Sequence, residues 1–164
     1  VRWLIRKSCK IKKIKVGHAG TLDPLASGLL IICTGKLTKT IDQIQGQEKE
    51  YTGTFTLGAT TPSYDMETEV DKTFEIGDIN EGELVAATAQ FTGEIDQVPP
   101  VFSALKKDGK RLYEFARAGE DVEIPSRKVE IKTFEITGVR LPDVDFRVVC
   151  SKGTYIRSLA NDDG

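Results

Sequence analysis

A carboxylate at position 23 stands among residues that control backbone shape. In GHAGTLDPLASGLL, residues 17–30, Gly17, Gly20 and Gly28 surround Asp23, and Pro24 follows it directly. Glycine admits positive φ and close backbone approach, and proline fixes φ, so a loop of this composition can hold one carboxylate in a defined place. An Asp-Pro pair is also an ordinary turn former whose carboxylate caps nearby N–H groups, and the loop alone leaves both readings open.

The second constellation is KGTYIRSLANDDG at the C-terminal end. Gly153 and Thr154 are expected to begin a helix, on which Arg157 stands about 100° around from Ile156, at the border of an apolar stripe. A guanidinium placed there calls for an anionic partner, and Asp162 or Asp163 could supply one locally. Other chemistries are poorly served. His18 is the single histidine, no Ser/His/Asp or Cys/His spacing accompanies it, and general-base hydrolysis is therefore not expected. GKLTK lacks the spacing of a phosphate-binding P-loop. Cys9, Cys33 and Cys150 lie far apart without a C-x-x-C pair, so neither a zinc site nor a disulfide framework is expected. No metal and no cofactor are anticipated.

The elements that must position these residues can be read from periodicity. A chain of 164 residues suits one domain. Its longest apolar run, Leu29 to Cys33, is too short to cross a bilayer, no secretory pattern opens the sequence, and a cytoplasmic location is expected. Val1, Leu4 and Ile5 predict an amphipathic helix ending near Ser8 to Lys10. Residues 1–16 hold seven basic groups and no acidic one, which leaves −9 on the remainder of a chain of net charge −2. That asymmetry fits a phosphate-contacting face or a solvated basic arm.

IKKIKVGH can enter a sheet, and GLLIICTG is expected as a buried strand. A helix follows over Leu37 to Ile44, closed by Gly46. In KEYTGTFTLGAT, alternation puts Tyr51, Gly53, Phe55 and Leu57 on one face of a strand. PSYDMETEVD is an acidic loop. Asn80 or Asp78 can cap a helix carrying Leu84, Ala87, Thr88 and Phe91, and Pro99-Pro100 prevents its continuation. Asp108-Gly109 makes a turn before a short helix, KRLYEFARAG, stopped by Gly119. Two strands, KVEIKTFEITGVRL and DVDFRVVCSKG, set Phe146, Val148 and Cys150 against Arg147, Val149 and Ser151, and a last helix aligns Ile156, Leu159 and Ala160. The fold class expected is α+β with a mixed, largely antiparallel sheet.

Four stretches in order, GHAGTLDPLASGLL, KEYTGTFTLGATT with Tyr64-Asp65, SALKKDGKRLYEFARAGE and KGTYIR-x-L, resemble the TruB family of tRNA pseudouridine synthases over nearly the whole chain. The resemblance implies the pseudouridine synthase catalytic fold and an isomerase acting on one uridine of the tRNA T-arm, position 55 in tRNA convention. The uracil leaves C1′ of its ribose, turns, and rejoins through C5, with no cofactor or metal.

Asp23 then matches the catalytic carboxylate, acting on either the sugar or the base, and Arg157 matches the arginine that pairs with it. Tyr51 matches the tyrosine that stacks on the target base. His18 matches a histidine that fills the space left by the flipped base. Tyr155 and Lys152 match residues lining the site or approaching the RNA, and Asp65 an acidic residue near the pocket. Lys106, Lys107, Lys110 and Arg111 fit phosphate contacts or a solvated face.

The resemblance also implies an earlier K-P-x-G-x-T-S type motif and a C-terminal PUA-type module, so residues 1–164 are expected to form an incomplete catalytic domain, truncated at both ends. Asp163 stands where the family carries an apolar residue. A stand-alone, monomeric enzyme that acts on tRNA without a membrane is expected. The catalytic subunit of an RNA-guided complex and a non-catalytic RNA-binding or tRNA-folding module are the alternatives.

Overall fold

The computed structural model describes residues 2–11, 13–107, 109–120 and 122–163. Val1, Lys12 and Asp108, named above in the first helix, the basic arm and a turn, lie outside the described residues, as does the side chain of Asp163. The chain divides into two units, Val1–Gln47 and Glu48–Gly164.

The first unit opens with helix α1 (Arg2–Ser8). Strands β1 (Val16–His18) and β2 (Ile32–Thr34) pair antiparallel, with Gly17 opposite Cys33. A 3-10 turn over Gly35–Thr40 runs into helix α2 (Ile41–Gln45), closed by Gly46. The expected buried strand over GLLIICTG shrinks to three residues, because β2 has only the three-residue β1 beside it and a two-stranded ribbon cannot cover both faces. Cys33 is buried, whereas Leu29, Leu30 and Ile31 are exposed, Leu29 at 86%.

The second unit is built on a four-stranded antiparallel sheet ordered β3-β10-β9-β6, from β3 (Lys49–Thr56), β10 (Asp143–Cys150), β9 (Arg127–Arg140) and β6 (Gly93–Gln97). Short pairs β4 (Ala59–Thr60) with β5 (Lys72–Thr73), and β7 (Lys106–Lys107) with β8 (Lys110–Arg111), decorate it. The helices are α3 (Glu81–Ala89), α4 (Leu112–Ala118) and α5 (Ile156–Asp163).

Period-two alternation in the strands delivers Phe55, Phe134, Phe146, Val148 and Ile131 to one core, together with Cys150 and Leu159. Phe55 stacks on Phe146 at 5.1 Å between centroids, and Phe134 meets Phe146 edge-on at 6.3 Å. Burial pushes the Cys150 thiol up. The predicted opposition of Val149 to Cys150 fails. A register shift between these two residues lets both be buried, as an extra residue in a ladder does. On the other face, Arg147 bridges three strands through Glu50 at 2.7 Å and Glu135 at 3.1 Å, which holds the Glu50 carboxyl below its usual range.

Helix ends follow the sequence signals. Asn80 caps α3 in a reciprocal capping box with Glu83, as residues of this type do, and Gly119 ends α4 in the left-handed region at φ +67°. Strand β6 was not anticipated. In GEIDQ, charged residues alternate with Ile95 over too few positions to register as a strand, and its pairing with β9, Gln97 opposite Arg127, supplies what local pattern lacks. Helix α5 begins at Ile156 rather than at Gly153, since Gly153 has φ +84°, outside the helical region.

Candidate active site

In the first unit the loop carrying Asp23 leaves and re-enters the β1–β2 ribbon, tied at its base by the Ala19 N–H donating to the Ile31 carbonyl at 2.9 Å. Gly17 lies close under Ile41, whose Cδ1 would stand 2.5 Å from a Cβ placed there and would have to move aside. Gly20, at φ +131°, takes a backbone conformation that side chains resist. The Asp23 carbonyl accepts from the Ala26 N–H at 3.0 Å, so Asp23-Pro24-Leu25-Ala26 is a β-turn with proline in the position its fixed φ suits. The turn uses its carbonyl oxygen, and the residue itself is exposed on the loop.

His18, at the end of β1, donates from Nδ1 to the Gly20 carbonyl. The ring borders a cavity of about 390 Å3 within this unit, lined also by Arg2, Val16, Gly17, Leu30 and Ile32.

In the second unit Tyr51 sits at the middle of β3, opposite Val148, half-buried with its ring against the core. Two residues on, Gly53 makes room for Phe146, whose Cζ would lie 2.8 Å from a Cβ placed there.

Arg157, in the first turn of α5, is held from three directions. Its Nη1 donates to the Ser63 carbonyl at 2.9 Å, 94 residues away in sequence, and its Nη2 to the Phe102 carbonyl at 3.1 Å. Its Nε faces Asp65 Oδ2 at 3.5 Å, with side chains 11% and 16% exposed. Asp65, from a loop distant in sequence, is thus an anionic partner of Arg157. Asp65 is itself fixed: the Ser63 hydroxyl donates to its Oδ1 at 2.6 Å and the Glu67 N–H at 2.9 Å. Ser63 is fully buried and also bonds Thr68 Oγ1 at 2.7 Å. A charge held in this way keeps its direction.

Tyr155 precedes α5. The buried Gln97 grips both its backbone groups, the carbonyl at 3.0 Å and the N–H at 2.8 Å. Lys152 is exposed on the turn before it. The predicted basic cluster occupies the β7–β8 hairpin and the start of α4. Lys106 is exposed, Lys107 donates to the Glu123 carbonyl at 2.6 Å, and Lys110 pairs with Glu120 at 3.1 Å. The Arg111 and Arg117 guanidinium groups lie 5.8 and 5.4 Å from the Tyr113 ring centroid. Ser63, Thr68 and Gln97 were missed from sequence. Their only signal is polarity, at positions that turn out buried for Ser63 and Gln97 and half-buried for Thr68. Among the described residues no group of three or more His, Cys, Asp and Glu side chains could hold a metal ion, and no helix is long and apolar enough to cross a membrane.

Comparison with known proteins joins these parts. The model of the TruB family pseudouridylate synthase N-terminal domain matches residues 6–156. The chain is 68% identical over 161 residues to a protein of Flavobacterium johnsoniae named tRNA pseudouridine synthase B, covering 98% of this chain and 70% of that protein. It is 54% identical to the protein of the same name from Phocaeicola vulgatus, over all of this chain and 70% of that one. A solved Cbf5-Nop10-Gar1 complex contains a chain with TM-score 0.68 and 29% identity, covering 99% of this chain and 38% of the other. With a family match that spans both the Asp23 loop and the Arg157 helix, this chain belongs to the TruB family of pseudouridylate synthases.

Proposed function

We propose that this chain is the catalytic part of a tRNA pseudouridine synthase that isomerises the uridine at position 55, in the T-loop, with Asp23 as the catalytic carboxylate. The observation that carries the reading is the 68% identity over 98% of the chain to a protein named tRNA pseudouridine synthase B. The same chain is 29% identical to the Cbf5 complex chain, which favours a stand-alone tRNA enzyme over an RNA-guided subunit.

The reaction is balanced without redox change. The N1–C1′ bond breaks, the C5–C1′ bond forms, and the proton lost from C5 is matched by one gained at N1. Asp23, acting as a nucleophile on sugar or base or as the counter-charge to a sugar cation, carries the exchange and is regenerated. To be reached, the uridine must leave the RNA stack, and the Tyr51 ring replaces part of the stacking it loses. Arg157 supplies the fixed positive charge that keeps the reacting carboxylate ionised and oriented. Asp65, Ser63 and the Phe102 carbonyl restrain that charge. His18, Lys152 and Tyr155 contact the flipped nucleotide and its neighbours, and Lys106 and Lys107 take RNA phosphates. The cytoplasm is its place of action, as a monomer.

The test is to incubate the full-length protein with unmodified tRNA and map pseudouridine. Wild type is expected to give product at position 55, and Asp23→Asn none while retaining tRNA affinity within about threefold, because the substitution keeps the side chain's shape and removes its charge and nucleophilicity. Equal product from Asp23→Asn would remove Asp23 from the chemistry.

A further inference from the structure

Arg127, the first residue of β9, has its guanidinium carbon 4.7 Å from the centroid of the Tyr155 ring. Its Nε and Nη2 are buried and have no hydrogen-bond partner among the described residues. Unpaired buried N–H groups are costly, and a leucine or methionine would cover the same ring without them. Stability therefore does not explain an arginine here. What the arginine alone provides is a planar cation lying against an aromatic face, which restrains where that face points.

The residue paired with Arg127 across the β6–β9 ladder is Gln97, whose buried amide accepts from the Tyr155 N–H and donates to the Tyr155 carbonyl. One register pair thus grips one tyrosine twice, by backbone and by ring. The chain just before it turns through Gly153 at φ +84°, where an added Cβ would lie 3.7 Å from Arg127 Nη1.

We propose that Gln97 and Arg127 form a clamp that fixes the backbone and ring orientation of Tyr155, and that they are positioning residues for the isomerisation, acting through Tyr155 on the target nucleotide. The inference rests on the reading that Tyr155 lines the uridine site. The clamp acts on the catalytic step rather than on tRNA affinity, since Arg127 is half-buried, with Nε and Nη2 sealed and the guanidinium lying on the Tyr155 ring.

The experiment measures single-turnover pseudouridine formation and tRNA affinity separately, in the full-length protein, for Arg127→Met, Arg127→Lys and Gln97→Glu. Gln97→Glu keeps the acceptor for the Tyr155 N–H and loses the donor to its carbonyl. Expected are a fall in single-turnover rate of about tenfold or more for Arg127→Met, partial recovery with Arg127→Lys, a smaller fall for Gln97→Glu, and tRNA Kd within about threefold throughout. In a Tyr155→Leu background Arg127→Met should cost nothing further, because the ring it restrains is gone.

A rate within twofold of wild type for Arg127→Met overturns the proposal, as does an equal fall in the Tyr155→Leu background. So does a tenfold loss of tRNA affinity at unchanged rate, which would make Arg127 an RNA ligand. If Arg127→Met does not fold, Arg127→Lys and Gln97→Glu decide by the same readouts. Absence of product from wild type would instead overturn the functional reading on which the clamp depends.

Discussion

Replacing Arg157 by Met keeps a long unbranched stem and removes the guanidinium. The Ser63 and Phe102 carbonyls then lose donors at 2.9 and 3.1 Å, and Asp65 loses the charge 3.5 Å from its Oδ2. Breaking a buried pair by deleting one partner costs about 3–5 kcal/mol. The 3.5 Å separation and the two donors Asp65 retains, from Ser63 and Glu67, put this case at the lower end, about 3 kcal/mol. Asp65→Asn leaves both carbonyl bonds to Arg157 in place, so its cost is nearer that of one hydrogen bond, about 1 kcal/mol. For a protein of this size about 2–4 °C of Tm goes with each kcal/mol. Thermal melts followed by circular dichroism should therefore show Arg157→Met lower than wild type by about 6–12 °C and Asp65→Asn by about 2–4 °C. The double variant should fall by less than the two single losses together, since the pair is one interaction. A Tm for Arg157→Met within about 2 °C of wild type, or a larger loss in Asp65→Asn than in Arg157→Met, would refute this account of how the cation is held.

Gly53→Ala would set a Cβ 2.8 Å from Phe146 Cζ, and such overpacking is expected to cost about 1–3 kcal/mol; an unchanged urea midpoint would show that Phe146 can give way. Asp145 is held below its ordinary value first by the Thr54 hydroxyl and then by the Arg140 charge, against its desolvation. That stability is present above the ordinary carboxylate value and lost as pH falls through the lowered one. Thr54→Val should accordingly weaken the fold at neutral pH and converge with wild type in acid, and a difference that persists at low pH would assign the effect to packing.

The sequence was most informative where one residue type answers one backbone demand. Asn80 opened one helix and Gly119 closed another as a side chain, or the lack of one, requires, and alternation in KEYTGTFT placed Tyr51 and Phe55 on the inner face of β3. It failed where partners decide. The apolar run Leu29 to Cys33 looked like a core strand, yet hydropathy does not reveal that its neighbour in the sheet is three residues long. Strand β6 carries too little alternation to be seen, and Val149 is buried through a register shift that no local pattern marks. For Arg157, helix geometry correctly gave partial burial and the need for an anion. Proximity in sequence brings Asp162 to mind, while the fold brings Asp65 to the guanidinium from a loop distant in sequence, which no local pattern marks.

That last discrepancy explains why so short a motif as KGTYIR carries so much information. Ser151 exchanges hydrogen bonds with Glu130 on β9 at 2.8 and 2.9 Å, and the Thr154 hydroxyl closes the turn onto the Ser151 carbonyl at 3.0 Å. Tyr155 is gripped by Gln97, and the Ser158 hydroxyl reaches the Val98 carbonyl at 2.8 Å. Arg157 gathers Ser63, Asp65 and Phe102. Within eight residues the chain is tied to both outer segments of β6 and β9 and to the 61–68 loop by polar groups, each needing its own donor or acceptor. Apolar positions tolerate exchange of shape for shape, whereas the side-chain contacts of Ser151, Thr154, Arg157 and Ser158 are lost with a change of chemical type. A stretch bearing one such constraint per residue or two is specific at a length where an amphipathic stripe is not, and it is the stretch from which Arg157 projects.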